Sequence, residues 1–167
     1  MIVSSSDSLA AHRLSDGARV GSLQVQDFAF FLAADQDTGT LYGSVISGDE
    51  KIVHAWACTA DGSGIRISST MRVTAAGERL SSRPLAIMPP VTGKMVSHLI
   101  VGDAWSSELL VLSLPGLALV HRHRLERMRV GGLAADPWGG ALAVCDSASQ
   151  SLHVLAWPLP GMPPLLQ

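Results

Sequence analysis

The chain has 167 residues, of which 47% are hydrophobic and 16% charged, and its formal net charge is −2. This length and composition are typical of one folded domain with a substantial core, and they exclude intrinsic disorder. The charge gives no electrostatic reason to expect a nucleic acid or a membrane as partner, and no apolar stretch is long enough to span a bilayer. The first residues lack the pattern of a signal peptide, so we expect a cytoplasmic protein.

Short strands separated by turn residues are predicted along the whole chain. The first group covers residues 1–5, 9–14 and 19–25, with an Asp-Gly hairpin turn before the last strand. The second covers 28–33, 41–46, 52–58 and 65–73, and a connector follows at 74–83. The third covers 85–88, 95–101, 109–114 and 117–125. The fourth covers 130–135, 141–144 and 152–157, before a proline-rich tail.

Two sequence markers recur in these groups with the same phase. Residues 32–35 and 133–136 are both Leu-Ala-Ala-Asp, and residues 85–89 fit the same frame, with Pro89 aligned to Pro137. The second marker is an aspartate just after an apolar strand. It occurs at Asp7, Asp49, Asp103 and Asp146. Two markers that share a period of roughly fifty residues indicate a repeat architecture.

Repeats of this length, built from short strands, resemble the four-stranded blades of β-propellers. The apolar-x-x-Asp-Pro turn, the glycine-containing hairpin and the aspartate at a strand end look more like NHL or YVTN-type repeats than WD40 repeats. No Gly-His opens a blade and no Trp-Asp closes one. The resemblance implies an all-β, β-propeller-like domain over residues 1–167, with about three and a half to four four-stranded antiparallel blades. Its blades cover residues 1–25 (partial), 26–75, 76–128 and 129–160, and the tail covers 158–167.

The third strands of the last two repeats, residues 109–114 and 152–157, are apolar or nearly so on both faces. Such strands require both sheet faces to be covered. Propeller blades meet this requirement because each sheet packs between two neighbours, whereas a β-sandwich, the alternative fold, covers one face of each sheet. An incomplete set of blades leaves edges and a face open. We therefore expect a larger propeller, or a homodimer that completes one.

Candidate metal sites and other ligand motifs are weak in this sequence. Residues 35–39 resemble the start of a calcium loop, but Ile46 stands where a bidentate glutamate is needed, which favours an Asp-rich β-turn.

His121 and His123 share one face of a strand at a spacing that suits zinc, but no further ligand has diagnostic spacing, so a solvated edge strand is the better interpretation. The nearby arginines could meet a phosphate or a carboxylate. Gly62-Ser63-Gly64 and Gly93-Lys94 lack the rest of a nucleotide motif.

The remaining histidines, tryptophans and cysteines are predicted to be structural. His12, His54, His98 and His153 are expected to pack or to support turns rather than catalyse. Trp56, Trp138 and Trp157 are expected to fill blade interfaces, whereas Trp105 lies in a loop where it could anchor a partner. Cys58 and Cys145 are expected to be reduced, buried thiols.

The sequence therefore predicts no catalytic residue, no cofactor and no metal ligand. The fold-level resemblance implies a protein- or peptide-binding scaffold without catalytic activity. The alternative is a metal-dependent propeller enzyme of the lactonase or lyase type, which would need acidic and histidine side chains converging from several blades.

Overall fold

The computed structural model describes residues 2–4, 8–24, 28–35, 38–47, 50–61, 64–74, 84–90, 97–103 and 107–163. Side chains are described for residues 8–22, 24, 32–35, 38–44, 84–90, 97–102 and 107–163. The chain divides into two compact units, Met1–Arg79 and Leu80–Gln167. The single domain over residues 1–167 stays a prediction.

The first unit contains two antiparallel sheets. Its strands are β1 (Ile2–Ser4), β2 (Ser8–His12), β3 (Arg19–Gln24), β4 (Phe28–Asp35), β5 (Thr40–Ser47), β6 (Glu50–Asp61) and β7 (Gly64–Thr74). Strands β1 to β3 form a three-stranded sheet, and β4 to β7 form a four-stranded sheet in sequence order. Strands β6 and β7 are longer than predicted because their hairpin pairing continues from Ile52 as far as Asp61.

The second unit also contains one four-stranded and one three-stranded sheet, but here the four-stranded sheet comes first in the sequence. Its strands are β8 (Leu85–Met88), β9 (His98–Asp103), β10 (Glu108–Ser113), β11 (Leu119–Arg124), β12 (Val130–Ala135), β13 (Ala141–Asp146) and β14 (Ser151–Ala156). Strands β8 to β11 form a four-stranded sheet, and β12 to β14 form a three-stranded one. The described residues thus form four antiparallel sheets, the first and last with three strands, as the sequence predicts.

The core of the second unit lies between its two sheets. Residues of both sheets, together with Trp157 and Leu159 from the segment after β14, form one apolar cluster. From the β8–β11 sheet it includes Ala86, Met88, Ile100, Leu109 and Val111, and from the β12–β14 sheet Val130, Leu142 and Val144. Burial of this apolar surface is the main favourable contribution to the stability of the unit.

Gly102, on β9, shows how closely these two sheets approach each other. A Cβ atom at this position would lie 2.5 Å from Cγ1 of Val130 and 3.0 Å from Cγ of Pro84. Valine is stiff at χ1 and proline is cyclic, so neither side chain can move aside freely. The first residue of β12 therefore packs directly on the backbone of β9, which requires glycine there.

We predict that Gly102→Ala lowers the free energy of unfolding by about 1–3 kcal/mol, because the added methyl group overpacks this contact. Urea denaturation measures the change. Gly132→Ala is the matched control, since its Cβ atom would lie 3.5 Å from that of Cys145, an ordinary contact distance. Equal effects of the two substitutions would show that the sheets do not approach as described.

Candidate protein-binding face

Strand β14 is exposed on one of its two faces. Leu152 and Val154 are 63% and 68% exposed, while Ser151, His153 and Leu155, which alternate with them, are half-buried. The prediction that both faces of this strand are covered is therefore wrong for β14. It is correct for β10, where Leu109 to Leu112 are all buried.

The strand register identifies the residues that share this exposed face, because directly paired residues of an antiparallel sheet project to the same side. One row across the sheet pairs Ala134 with Ala143 and Ala143 with Val154. The next row pairs Gly132 with Cys145 and Cys145 with Leu152. We call this surface the β12–β14 face and define it by Ala134, Ala143, Cys145, Leu152 and Val154. It carries no charged residue.

The same rows occur, covered, in the β8–β11 sheet. Aligning the two repeats places Ala86, Ile100 and Val111 over Ala134, Ala143 and Val154, and the register joins these three residues in one row. Leu109 aligns with Leu152 in the same way. Ile100, Leu109 and Val111 are fully buried against the β12–β14 sheet. The β12–β14 face thus corresponds to the face of the β8–β11 sheet that the β12–β14 sheet covers.

Cys145 is exposed, so the prediction of a buried thiol is wrong at this position. The residue occupies the sheet position that Gly102 occupies in the preceding repeat, but its side chain projects from the uncovered face. At Gly102, by contrast, the covering sheet approaches too closely for even a Cβ atom.

Trp138 lies in the hairpin turn between β12 and β13 and is 85% exposed, so the prediction that it fills a blade interface is wrong. The turn is fixed by Asp136, whose carboxylate accepts hydrogen bonds from the amides of Trp138 at 3.2 Å and Gly140 at 3.1 Å. Gly139 completes the turn with a φ of 75°, a value that favours glycine. The turn holds the backbone while the indole points to solvent, a suitable anchor for a protein partner.

Trp157 and His98 are buried, as packing residues should be. Trp157 is 7% exposed and His98 is 2% exposed, and their ring centroids are 5.8 Å apart. Burial lowers the pKa of His98 below its usual value, because the charged imidazolium loses its hydration. This geometry supports the prediction of a structural histidine.

Asp146, one of the repeated strand-end aspartates, joins the start of β12 to the turn after β13. Its carboxylate accepts hydrogen bonds from the amides of Arg129 and Ala148, each at 2.9 Å, and from the hydroxyl of Ser149. The Ser149 hydroxyl and then the two amides hold the pKa of Asp146 down to about 2. A further chain of hydrogen bonds links Ser149 through Ser151 to His153.

His121 and His123 face the segment that follows β14. The ring of His123 forms a hydrogen bond with the carbonyl of Pro160, and Gly161 lies beside His121. Burial lowers the pKa of His123, and the nearby His121 lowers it further. On the same strand, Arg122 meets the carboxylate of Glu108 at 3.4 Å. The histidines thus support the tail, and the arginine meets a carboxylate of its own sheet.

The calcium-like segment begins as a polar turn, in which the hydroxyl of Thr38 donates to the carboxylate of Asp35 at 2.8 Å. In the part of the chain that the structure describes, no three histidine, cysteine or acidic residues come together as a metal site.

No helix among the described residues is long and apolar enough to span a membrane.

Several predicted features lie outside the described residues. These are Asp7, Asp37, Asp49, Trp105, Gly62-Ser63, Gly93-Lys94 and most of the 74–83 connector, as well as the side chains of His54, Trp56, Cys58 and Asp103. The residue types of Leu152, Val154 and Cys145 did not mark them as surface residues, because their apolar pattern is that of buried strands. The position of β14 in an incomplete repeat was the available signal.

Comparison with solved structures places this fold. The chain is similar to the β-propeller domain of Cps50 (Swd1) from Myceliophteria thermophila, with a TM-score of 0.72 at 14% identity, over 93% of this chain and 49% of that one. The fold is a β-propeller fold. U3-55K and the WD40 repeats of RRP9 match with TM-scores of 0.58 and 0.57, each at 13% identity over 93% of this chain and 47% of the other.

The chain thus spans about half the length of the solved propellers it matches. No protein-family model and no curated protein matches its sequence. The likeness therefore shows the β-propeller fold and sets aside the sandwich alternative. The finer similarity to NHL or YVTN-type blades stays a prediction.

We predict that the thiol of Cys145 reacts rapidly with a disulfide reagent in a dilute solution of the native protein, in which no second copy covers the β12–β14 face, because the thiol is exposed there. The fast reaction should disappear in Cys145→Ser, and the urea-unfolded protein gives the reference rate for a fully accessible thiol. A native rate far below that reference would contradict the exposure of this face.

We also predict that Asp146 stabilises the protein in a pH-dependent way. Its pKa falls from an ordinary value of about 3.9 in the unfolded chain to about 2 in the folded one. This contribution is fully present above about pH 5 and is lost as the pH falls toward 2. The stability difference between the wild type and Asp146→Ala, measured by urea denaturation, should therefore narrow from pH 7 to pH 3. A difference independent of pH would show that the carboxylate is not held as described.

Proposed function

We propose that this chain is a protein-binding scaffold module that binds through the β12–β14 face. The observation that carries the proposal is that Leu152 and Val154 are mostly exposed, whereas their repeats Leu109 and Val111 are fully buried under another sheet. An exposed, uncharged sheet face of this kind marks a docking surface in a stable protein. The module would have no catalytic activity of its own.

The sheet-on-sheet contact inside the second unit indicates the form of the partner. There, the equivalent face is covered by a second antiparallel sheet that buries apolar side chains from both sides. Two sheets that pack face to face lie about 10 Å apart, and the side chains of their two inner faces fill the space between them. The partner proposed for the β12–β14 face is therefore another propeller sheet.

A second copy of this chain offers a suitable sheet. In β2 and β3 the register pairs Ala10 with Ser22, on the side opposite the buried Leu9 and Ala11. Ala10 is half-buried and Ser22 is exposed. These small side chains would leave room for Cys145 and for the protruding Leu152 and Val154. The solved propellers are about twice the length of this chain, so two copies would supply the missing sheets of a ring.

The test is the mass in solution, measured by light scattering over a range of concentrations. We expect a dimer of two 17.5 kDa chains for the wild type. Ala134→Arg combined with Cys145→Arg should dissociate it, because an unpaired charge buried at an interface costs about 3 kcal/mol or more, a weakening of roughly 100-fold. The thiol of Cys145 should also become protected as the wild-type concentration rises.

Leu14→Arg is the matched control, since Leu14 is 82% exposed in the hairpin turn between β2 and β3. It introduces a positive charge at an exposed leucine away from the β12–β14 face and should leave the dimer intact. A wild-type protein that stays at the mass of one chain up to about 100 μM would contradict a second copy as the partner.

A further inference from the structure

The outer edge of β14 pairs with no strand in the part of the chain that the structure describes. In the preceding repeat the same edge is occupied: β11 pairs antiparallel with β10, from Glu108 opposite Arg124 to Leu112 opposite Leu119. Strand β14 aligns with β10 along its whole length, with Ser151 over Glu108. The last repeat thus has three strands where its template has four.

The segment after β14 does not return along this edge. Leu159 is buried in the core of the unit, and Met162 packs against the same cluster. Between them, the carbonyl of Pro160 meets the ring of His123 on β11. Prolines 158, 160 and 163 also lack the amide hydrogen that a paired strand must donate. Residues 158–163 therefore contact the neighbouring sheet, and no described segment of the chain pairs with the edge of β14.

Strands β11 and β14, each at the edge of its sheet, differ in the charge of their side chains. Strand β11 carries exposed Arg122 and Arg124, and charged side chains of this kind discourage a further strand from pairing. Strand β14 reads Ser-Leu-His-Val-Leu-Ala, with no lysine, arginine, acidic residue or proline. It also exposes Leu152 and Val154 beside the edge. One edge is protected against pairing and the other is not.

We propose that the outer edge of β14 binds an extended segment of a partner protein as a fourth antiparallel strand. This inference rests on the proposed protein-binding function and assigns it a second surface. The segment would be about as long as β11, which has six residues. Side chains that pair across from Leu152 and Val154 lie on the same face as these residues, so they must be apolar and uncharged.

The probe is a synthetic peptide, Lys-Thr-Val-Thr-Val-Thr-Lys, in which valines alternate along an extended strand and the terminal lysines keep it soluble. Amide hydrogen exchange of residues 151–156 is measured by NMR with and without the peptide. We expect the outward-pointing amides of β14 to exchange at least about tenfold more slowly when the peptide is bound, because they then donate hydrogen bonds to it. A peptide with proline in place of its first valine is the control and should give no protection.

Val154→Lys should abolish this protection, since it places a charge beside the paired strand. Leu14→Lys makes the same change at an exposed leucine outside the sheet and should preserve it. Absence of protection at saturating peptide, or equal protection by the proline peptide, would overturn the proposal. Protection that grows with protein concentration in the absence of peptide would overturn it as well, because a second copy would then occupy the edge.

The reactivity of the Cys145 thiol, measured on the same sample, distinguishes strand addition at β14 from the docking of a sheet on the β12–β14 face. Cys145 lies on the central strand β13, so a strand added beyond β14 leaves its thiol reactive, whereas a sheet that covers the β12–β14 face protects it. Slowed exchange at β14 with a reactive thiol identifies strand addition alone. A protected thiol without slowed exchange supports the proposed function and overturns the edge proposal.

Discussion

The contact between two apolar sheet faces is the interaction on which the second unit depends. Strand β10 is buried on both faces, and on one of them Leu109 and Val111, together with Ile100 of β9, form a cluster with apolar residues of β12 and β13. Sheets of this composition are stable only when covered, since apolar area in contact with water costs about 25 cal/mol per Å². The close approach at Gly102 shows that no room is left for a Cβ atom at this point between the two sheets. The β12–β14 face is also uncharged, but no sheet among the described residues covers it.

The repeated aspartates serve the same architecture by local means. Asp136 fixes the hairpin between β12 and β13 by accepting hydrogen bonds from two turn amides, and Asp146 ties the residue before β12 to the turn after β13. Ionised carboxylates accept such bonds strongly, so each aspartate replaces backbone partners that a turn lacks. Asp136 and Asp146, two of the markers that reveal the repeat in the sequence, are thus turn-forming residues.

A propeller fold by itself supports many activities, so both proposals are argued from particular surfaces of this chain. Among the described residues, the last repeat differs from its template in two respects: no sheet covers the β12–β14 face, and no strand pairs with the outer edge of β14. The proposed docking of a sheet uses the face, and the proposed strand addition uses the edge. Both surfaces are uncharged, so recognition would depend on apolar contact and backbone hydrogen bonds rather than on electrostatic steering.

The sequence by itself determined the all-β fold, the four antiparallel sheets and the three strands of the first and last repeats. Periodic turn residues and alternation are local signals, which depend on neighbouring residues alone. It also identified Trp157 as a core residue and β11 as an outermost strand. Burial is different, because it depends on what covers a face. The sequence of β14 matches that of β10, yet Leu152 is exposed and Leu109 is buried. Only the tertiary structure showed that, among the described residues, one strand has a neighbouring sheet on that side and the other has none. For this reason the prediction of a buried thiol at Cys145 was wrong.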